Sequence, residues 1–184
     1  IFRRGQWFLD VDGAAGAAEQ KFRLGKWSDI AVVGDWNGDG TDDVGVFRNG
    51  AWYLDAAGND GVADRVVYFG GRGDRPVVGD WDGDGTDDLG IYRNGRWYFD
   101  LDGNGGGAEH SLWFGKKTDR PVVGDWDGNG TTTIGLFDPV ASRFFLKDTN
   151  SAGIADTLFR FGPAGAGWEP LAGDWNSDGS DAVG

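Results

Sequence analysis

Cysteine is missing from all 184 positions, so no disulfide braces the fold and no thiolate can hold a metal. The same absence leaves the redox compartment unread. Basic residues are scarce: 17 Lys and Arg stand against 30 Asp and Glu, a formal charge of −13. That balance argues against a nucleic acid or an anionic membrane surface as partner, because both attract basic proteins. No apolar run of about 20 residues is present to cross a bilayer, and no stretch of ten residues keeps a helical period. A basic-then-apolar leader is also lacking, and the chain begins at Ile1 rather than at a methionine, as a trimmed or processed chain does.

The machinery of catalysis is equally thin. His110 is the only histidine and has no counterpart elsewhere in the chain. There is no Gly-x-Ser-x-Gly elbow, Walker-type loop or dinucleotide fingerprint. Carboxylate pairs suited to glycoside chemistry can be drawn at will from 30 acids, so any such choice is uninformative. The residues predict a protein that is not an enzyme.

What the chain has in quantity is glycine, 35 residues, and aromatics, 14% with ten Trp. So much glycine in a polar chain would suggest disorder, but that many rings argue for a packed core. The glycines fall in a pattern. Gly34-Asp35-Trp36-Asn37-Gly38-Asp39-Gly40-Thr41-Asp42-Asp43 returns at Gly79-Asp80-Trp81-Asp82-Gly83-Asp84-Gly85-Thr86-Asp87-Asp88, and more loosely from Gly124 and Gly173. Asp35, Asp80 and Asp125 are 45 residues apart and Asp174 follows after 49. Such a period marks a repeat architecture. Ala182-Val183-Gly184 followed by Ile1-Phe2-Arg3 reads like Asp43-Val44-Gly45-Val46-Phe47-Arg48, so the ends either meet in a ring or were cut in phase from a longer array.

One repeat reads as four strands. Residues 76–81 are short, β-branched and apolar; 89–93 form a second strand closed by Asn94-Gly95, the favoured type I′ hairpin pair; 96–100 return; and 110–115 follow a second loop. The fourth strand alternates, with Phe22 and Leu24, Val67 and Phe69, Leu112 and Phe114, and Phe159 and Phe161 on the inner face. Four antiparallel strands per 45 residues predict an all-β chain: one β-propeller domain over 1–184, of four blades with four strands each, closed between its N- and C-terminal segments. Trp36, Trp81, Trp126 and Trp175, with Trp7, Trp52, Trp97 and Phe144, are expected to fill the space between blades. Gly45, Gly90, Gly135 and Gly184 are expected to leave room for them.

The repeated loops place oxygen donors at alternate positions around a glycine, which lets them converge on one point. Six to eight oxygens suit a hard ion such as Ca²⁺. The expected ligands are Asp35, Asn37, Asp39, Thr41 and Asp43; Asp80, Asp82, Asp84, Thr86 and Asp88; Asp125, Asp127, Asn129 and Thr131; and Asp174, Asn176, Asp178 and Ser180. Thr133 and Ala182 replace the late carboxylate in the third and fourth loops, so affinity is expected to fall in the order two, one, four, three, with two to four ions bound. Without metal, the same residues would form Asx-turns. The second loop of each unit (Asp100-Leu101-Asp102-Gly103-Asn104, with counterparts at 55–59 and 10–14) keeps its donors less well and reads as a solvated hairpin loop.

Phe69-Gly70, then Val78-Gly79-Asp80-x-x-Gly83-Asp84-Gly85-x-x-Asp88-Leu89, resembles the FG-GAP repeat and its VCBS-type relatives, and all four units share the likeness. The resemblance implies a β-propeller with Ca²⁺ in these loops, usually on extracellular or cell-surface proteins. Family propellers often have seven blades, so four units leave a small ring, a fragment, or assembly of two chains open, with a monomer expected. The function expected is a structural, adhesion or protein-interaction module; the alternative is a lectin using the exposed rings of Trp27, Trp113 or Trp168. Arg72-Gly73-Asp74 matches a cell-attachment tripeptide that arises often by chance.

Overall fold

In the computed structural model, which describes residues 1–13, 16–57 and 60–184, all regular structure is antiparallel sheet and no helix occurs among the described residues. The first sheet has three strands, β1 (Phe2–Arg3), β2 (Gln6–Leu9) and β3 (Gln20–Arg23). The second comprises β4 (Ile30–Gly34), β5 (Asp43–Arg48), β6 (Ala51–Asp55) and β7 (Arg65–Tyr68). The third comprises β8 (Arg75–Gly79), β9 (Asp88–Arg93), β10 (Arg96–Asp100) and β11 (His110–Trp113). The fourth comprises β12 (Arg120–Gly124), β13 (Thr133–Asp138), β14 (Arg143–Leu146) and β15 (Thr157–Arg160), and β16 (Ala172–Gly173) with β17 (Ala182–Val183) make a fifth. Strands pair in sequence order, and Asn94 and Gly95 take φ of 54° and 96°, the two positive values a type I′ turn requires.

The sheets stack. First strands of successive sheets lie side by side, β4 by β8, β8 by β12 and β12 by β16. Each gap holds its own apolar cluster, such as Trp36, Trp52, Leu54 and Phe69 against Leu89 and Ile91 between the second and third sheets. The fully buried Trp52 and Trp97 each donate an indole N–H, at 2.9 Å, to the carbonyl of Phe69 and Phe114, the residues that precede Gly70 and Gly115. The Phe-Gly step thus ends the outer strand and also satisfies a buried donor. Phe144 has no such N–H, and in the fourth sheet Ser142 supplies the donor instead, its hydroxyl 2.6 Å from the Phe161 carbonyl.

Two of the four second-strand glycines make room for a ring: a Cβ on Gly90 would lie 2.7 Å from Val77 Cγ2 and 3.3 Å from Trp81 Cζ2, and one on Gly135 would lie 3.2 Å from Trp126 Cζ2, whereas Gly45 faces Leu54 and Val32 and Gly184 faces nothing within 4 Å. The ends differ from the expected ring. β1 pairs only with β2 and β17 only with β16, so five sheets are present and no hydrogen-bonded seam joins the termini among the described residues. With two short strands, the fifth sheet is too narrow to cover its neighbour. Trp36 is 5% exposed, but its counterpart Trp175 is 62% exposed, and Phe159 and Phe161, expected on an inner face, stand open.

Gly90→Ala is expected to lower stability by about 1–3 kcal/mol, the range for overpacking a tight core. Urea denaturation measures this, and an unchanged midpoint would mean the Trp81 contact is slack.

Candidate metal centre in the acidic loops

The acidic loops join first to second strands, and antiparallel pairing puts them at the same sheet edge as the loops between third and fourth strands. Each loop is wound around its first aspartate. Asp80 Oδ1 accepts the amides of Gly83 (2.6 Å) and Asp84 (3.1 Å), and Oδ2 accepts that of Gly85 at 2.9 Å. Asp35, Asp125 and Asp174 do the same in their loops. These are Asx-turns, the local bonding anticipated without metal. Against desolvation, the amides of Gly40, Gly38, Asn37 and Asp39 hold Asp35 below the usual carboxylate range.

Only in loop two do three carboxylates converge: oxygens of Asp80, Asp82 and Asp88 all lie within 4.8 Å of one another. Asp88 is buried at the start of β9, and burial, followed by repulsion from Asp82, Asp84 and Asp80, pushes it up to about 8. Asp84 and Thr86 turn toward each other instead, the Thr86 hydroxyl 2.5 Å from Asp84 Oδ1, and Asp84 is not among the converging carboxylates. In loop one the Asn37 amide bridges Asp43 Oδ2 (3.2 Å) and the Ala56 carbonyl (2.7 Å). In loop three Thr133 donates its hydroxyl to the Gly124 carbonyl. In loop four Asn176 and Ser180 both bond to Asp178.

Sequence reasoning missed what the eighth loop residue does. Asp87 Oδ2 accepts the Asp35 amide at 2.9 Å while the Asp87 amide donates to the Asp35 carbonyl at 2.8 Å. Thr132 grips Asp80 and Asp181 grips Asp125 in the same two-bond clip. Loops two, three and four are therefore each fastened to the loop of the preceding sheet. The clip also explains the glycine that opens the motif: a Cβ on Gly79 would lie 2.4 Å from Thr132 Cγ2. The available clue was a polar residue at a fixed offset (Asp42, Asp87, Thr132, Asp181) with no ligand role. Burial, with repulsion from Asp42, Asp80 and Asp35, raises Asp87 to about 6.

The loop from β10 to β11 is more than a solvated hairpin: carboxylate oxygens of Asp100, Asp102 and Glu109 also converge within 4.8 Å, as do those of Asp10, Asp12 and Glu19. Ala14 and Asn59 of the counterpart loops lie outside the described residues. Trp27, Trp113 and Trp168 sit on a turn, an outer strand and a link, and Trp27 is 80% exposed. Trp113 lies beneath the Arg96 guanidinium, and Trp168 closes on the Pro163 carbonyl. Asp74 of the Arg-Gly-Asp tripeptide is buried and held by both Arg93 nitrogens at 2.6 Å, so it cannot be offered to a receptor. His110 stacks on Phe99 and bonds the Asn150 carbonyl. The chain matches no family model and no curated protein.

The raised pKa values set a pH dependence for the metal-free protein. A folded-state value above the unfolded one means the folded chain binds more protons, so stability falls as pH rises through the window between them. In chelator, the melting temperature is expected to climb as pH drops from about 8.5 to about 5.5, Asp88 acting over the upper part and Asp87 and Asp100 over the lower. Asp88→Asn should flatten the upper part. A melting temperature that falls over this range would contradict the carboxylate crowding.

Proposed function

We propose that this chain is a non-catalytic, calcium-stabilised module of β-propeller type, extracellular or on a cell surface, that presents its loops to a protein partner. The observation that carries the reading is the convergence of Asp80, Asp82 and Asp88 with Asp88 buried. Three like charges at one strand end need a counter-charge, and the donor set is all oxygen, which suits Ca²⁺ over softer metals. The other three loops each lack one or more of these carboxylates (Asn37 in loop one, Thr133 in loop three, Asn176 and Ala182 in loop four), so loop two is assigned the tightest site and loop three the weakest.

The propeller reading rests on adjacent first strands with an apolar cluster in every gap. The terminal sheets are complementary. β17 pairs with β16 in the register of the first half of β5, and β1 pairs with β2 in the register of its second half. Joined, the two would make one more four-stranded blade, either within a chain or between two. An apolar cavity of about 570 Å³ between the third and fourth sheets, lined by Phe114, Leu136, Phe145, Ile154 and Leu158, offers few polar groups to orient a sugar. A protein partner is therefore favoured over a glycan.

Calcium at about ten times the dissociation constant adds about 1.4 kcal/mol, which for a chain of this length raises the melting temperature by about 3–6 °C. Scanning calorimetry with calcium and with chelator measures the shift, and Asp82→Asn should reduce it while leaving the protein folded. Equal melting temperatures in calcium and chelator would overturn the proposal.

A further inference from the structure

The carboxylates at the third-to-fourth-strand loop form a second centre, separate from the repeated acidic loop. Asp100 ends β10 with 0% of its surface exposed. Its Oδ2 accepts the Gly105 amide at 3.0 Å, but its buried Oδ1 has no hydrogen-bond partner. A buried carboxylate oxygen left unpaired is costly, so it implies a missing positive or donating group. Asp102 and Glu109 bring their own oxygens within 4.8 Å of Asp100. Both are fixed from behind: Asp102 accepts the Asn104 amide at 3.1 Å, and Glu109 accepts the Leu101 amide at 3.0 Å. None of the three is in an ion pair among the described residues. The nearby Arg65 guanidinium is spent on the Gly103 carbonyl.

The fourth sheet shows what the position calls for. Lys147 occupies the place of Asp100, directly after the third strand, and is only 5% exposed. Its ammonium lies 3.0 Å from the Ile154 carbonyl and 3.4 Å from Asp156 Oδ2. Asp156 is the counterpart of Glu109, accepting the Asp148 amide just as Glu109 accepts that of Leu101. Where the chain gives up the acid, it supplies a cation of its own at the same spot.

We propose that Asp100, Asp102 and Glu109 hold a hard divalent cation of the calcium class, bound by carboxylate oxygens with loop carbonyls and water completing the shell. Asp100 pairs with Leu89, the residue after Asp88. Strand alternation therefore sends the Asp88 and Asp100 carboxyls to opposite faces of the sheet, and the two centres are distinct. The assignment does not depend on calcium in the Asp80 loop. The equivalent acids of the first sheet are all exposed, and the proposal is confined to the buried centre.

Equilibrium dialysis of the whole chain against calcium counts the ions bound. Asp102→Asn and Glu109→Gln, both at exposed side chains, should each lower the count by one and leave the circular dichroism spectrum unchanged. Asp82→Asn should remove a different ion, so the double variant Asp82→Asn with Asp102→Asn loses two. Should Asp102→Asn lower the count while Asp82→Asn does not, the centre stands and the reading of the Asp80 loop fails. An unchanged count in both Asp102→Asn and Glu109→Gln overturns the centre, as does a wild-type chain that binds no calcium.

Discussion

Carboxylates crowded at the ends of strands are the constraint around which this structure is arranged. Asp88 and Asp100 sit buried on neighbouring strands of one sheet, each facing two further acids within 4.8 Å. With one member of each cluster buried, water screens these charges less well than at an open surface, and repulsion between them is correspondingly stronger. Such clusters persist in a folded chain only if the rest of the fold is rigid enough to hold them and a proton or cation relieves them. In the fourth sheet, the chain's own Lys147 ammonium gives that relief, pairing with Asp156.

The rigidity comes from the gaps between sheets. In the first three sheets the indoles of Trp7, Trp52 and Trp97 pack into the gaps and their N–H groups lock onto the carbonyl that follows the outer strand, so the aromatic packing also fixes where the next loop begins. The eighth loop residue then ties each acidic loop to the one before it through two hydrogen bonds. Loop geometry and sheet stacking are thus coupled: ordering one acidic loop also orders the junction between its sheet and the preceding one. A cation at a single loop would for this reason stiffen more of the chain than its ligands alone.

Much of this was legible in the residues. The strands read from 89–93 and 96–100 lie within one residue of β9 and β10, because an Asn-Gly pair fixes the hairpin register and alternation fixes the faces. The loop repeat marked Asp80, Asp82 and Asp88 directly. Less legible was anything that depends on which sheet packs beside which. The Asp35–Asp87 clip joins residues 52 apart, and neither loop alone announces it. Glu109 joins Asp100 only because the loop folds its far end back on its start, and local donor spacing favoured Asn104 in its place. The closed ring was likewise read from matching ends, whereas among the described residues no strand pairing joins the terminal sheets and Trp175 is uncovered.

The central claim is that these carboxylate clusters are built around cations. Crystals grown in millimolar calcium and measured for anomalous scattering at a long X-ray wavelength test it most directly. The account predicts one anomalous peak among Asp80, Asp82 and Asp88 and another among Asp100, Asp102 and Glu109, each with oxygens at about 2.3–2.6 Å. Ordered carboxylates in those places with no anomalous peak between them would contradict it.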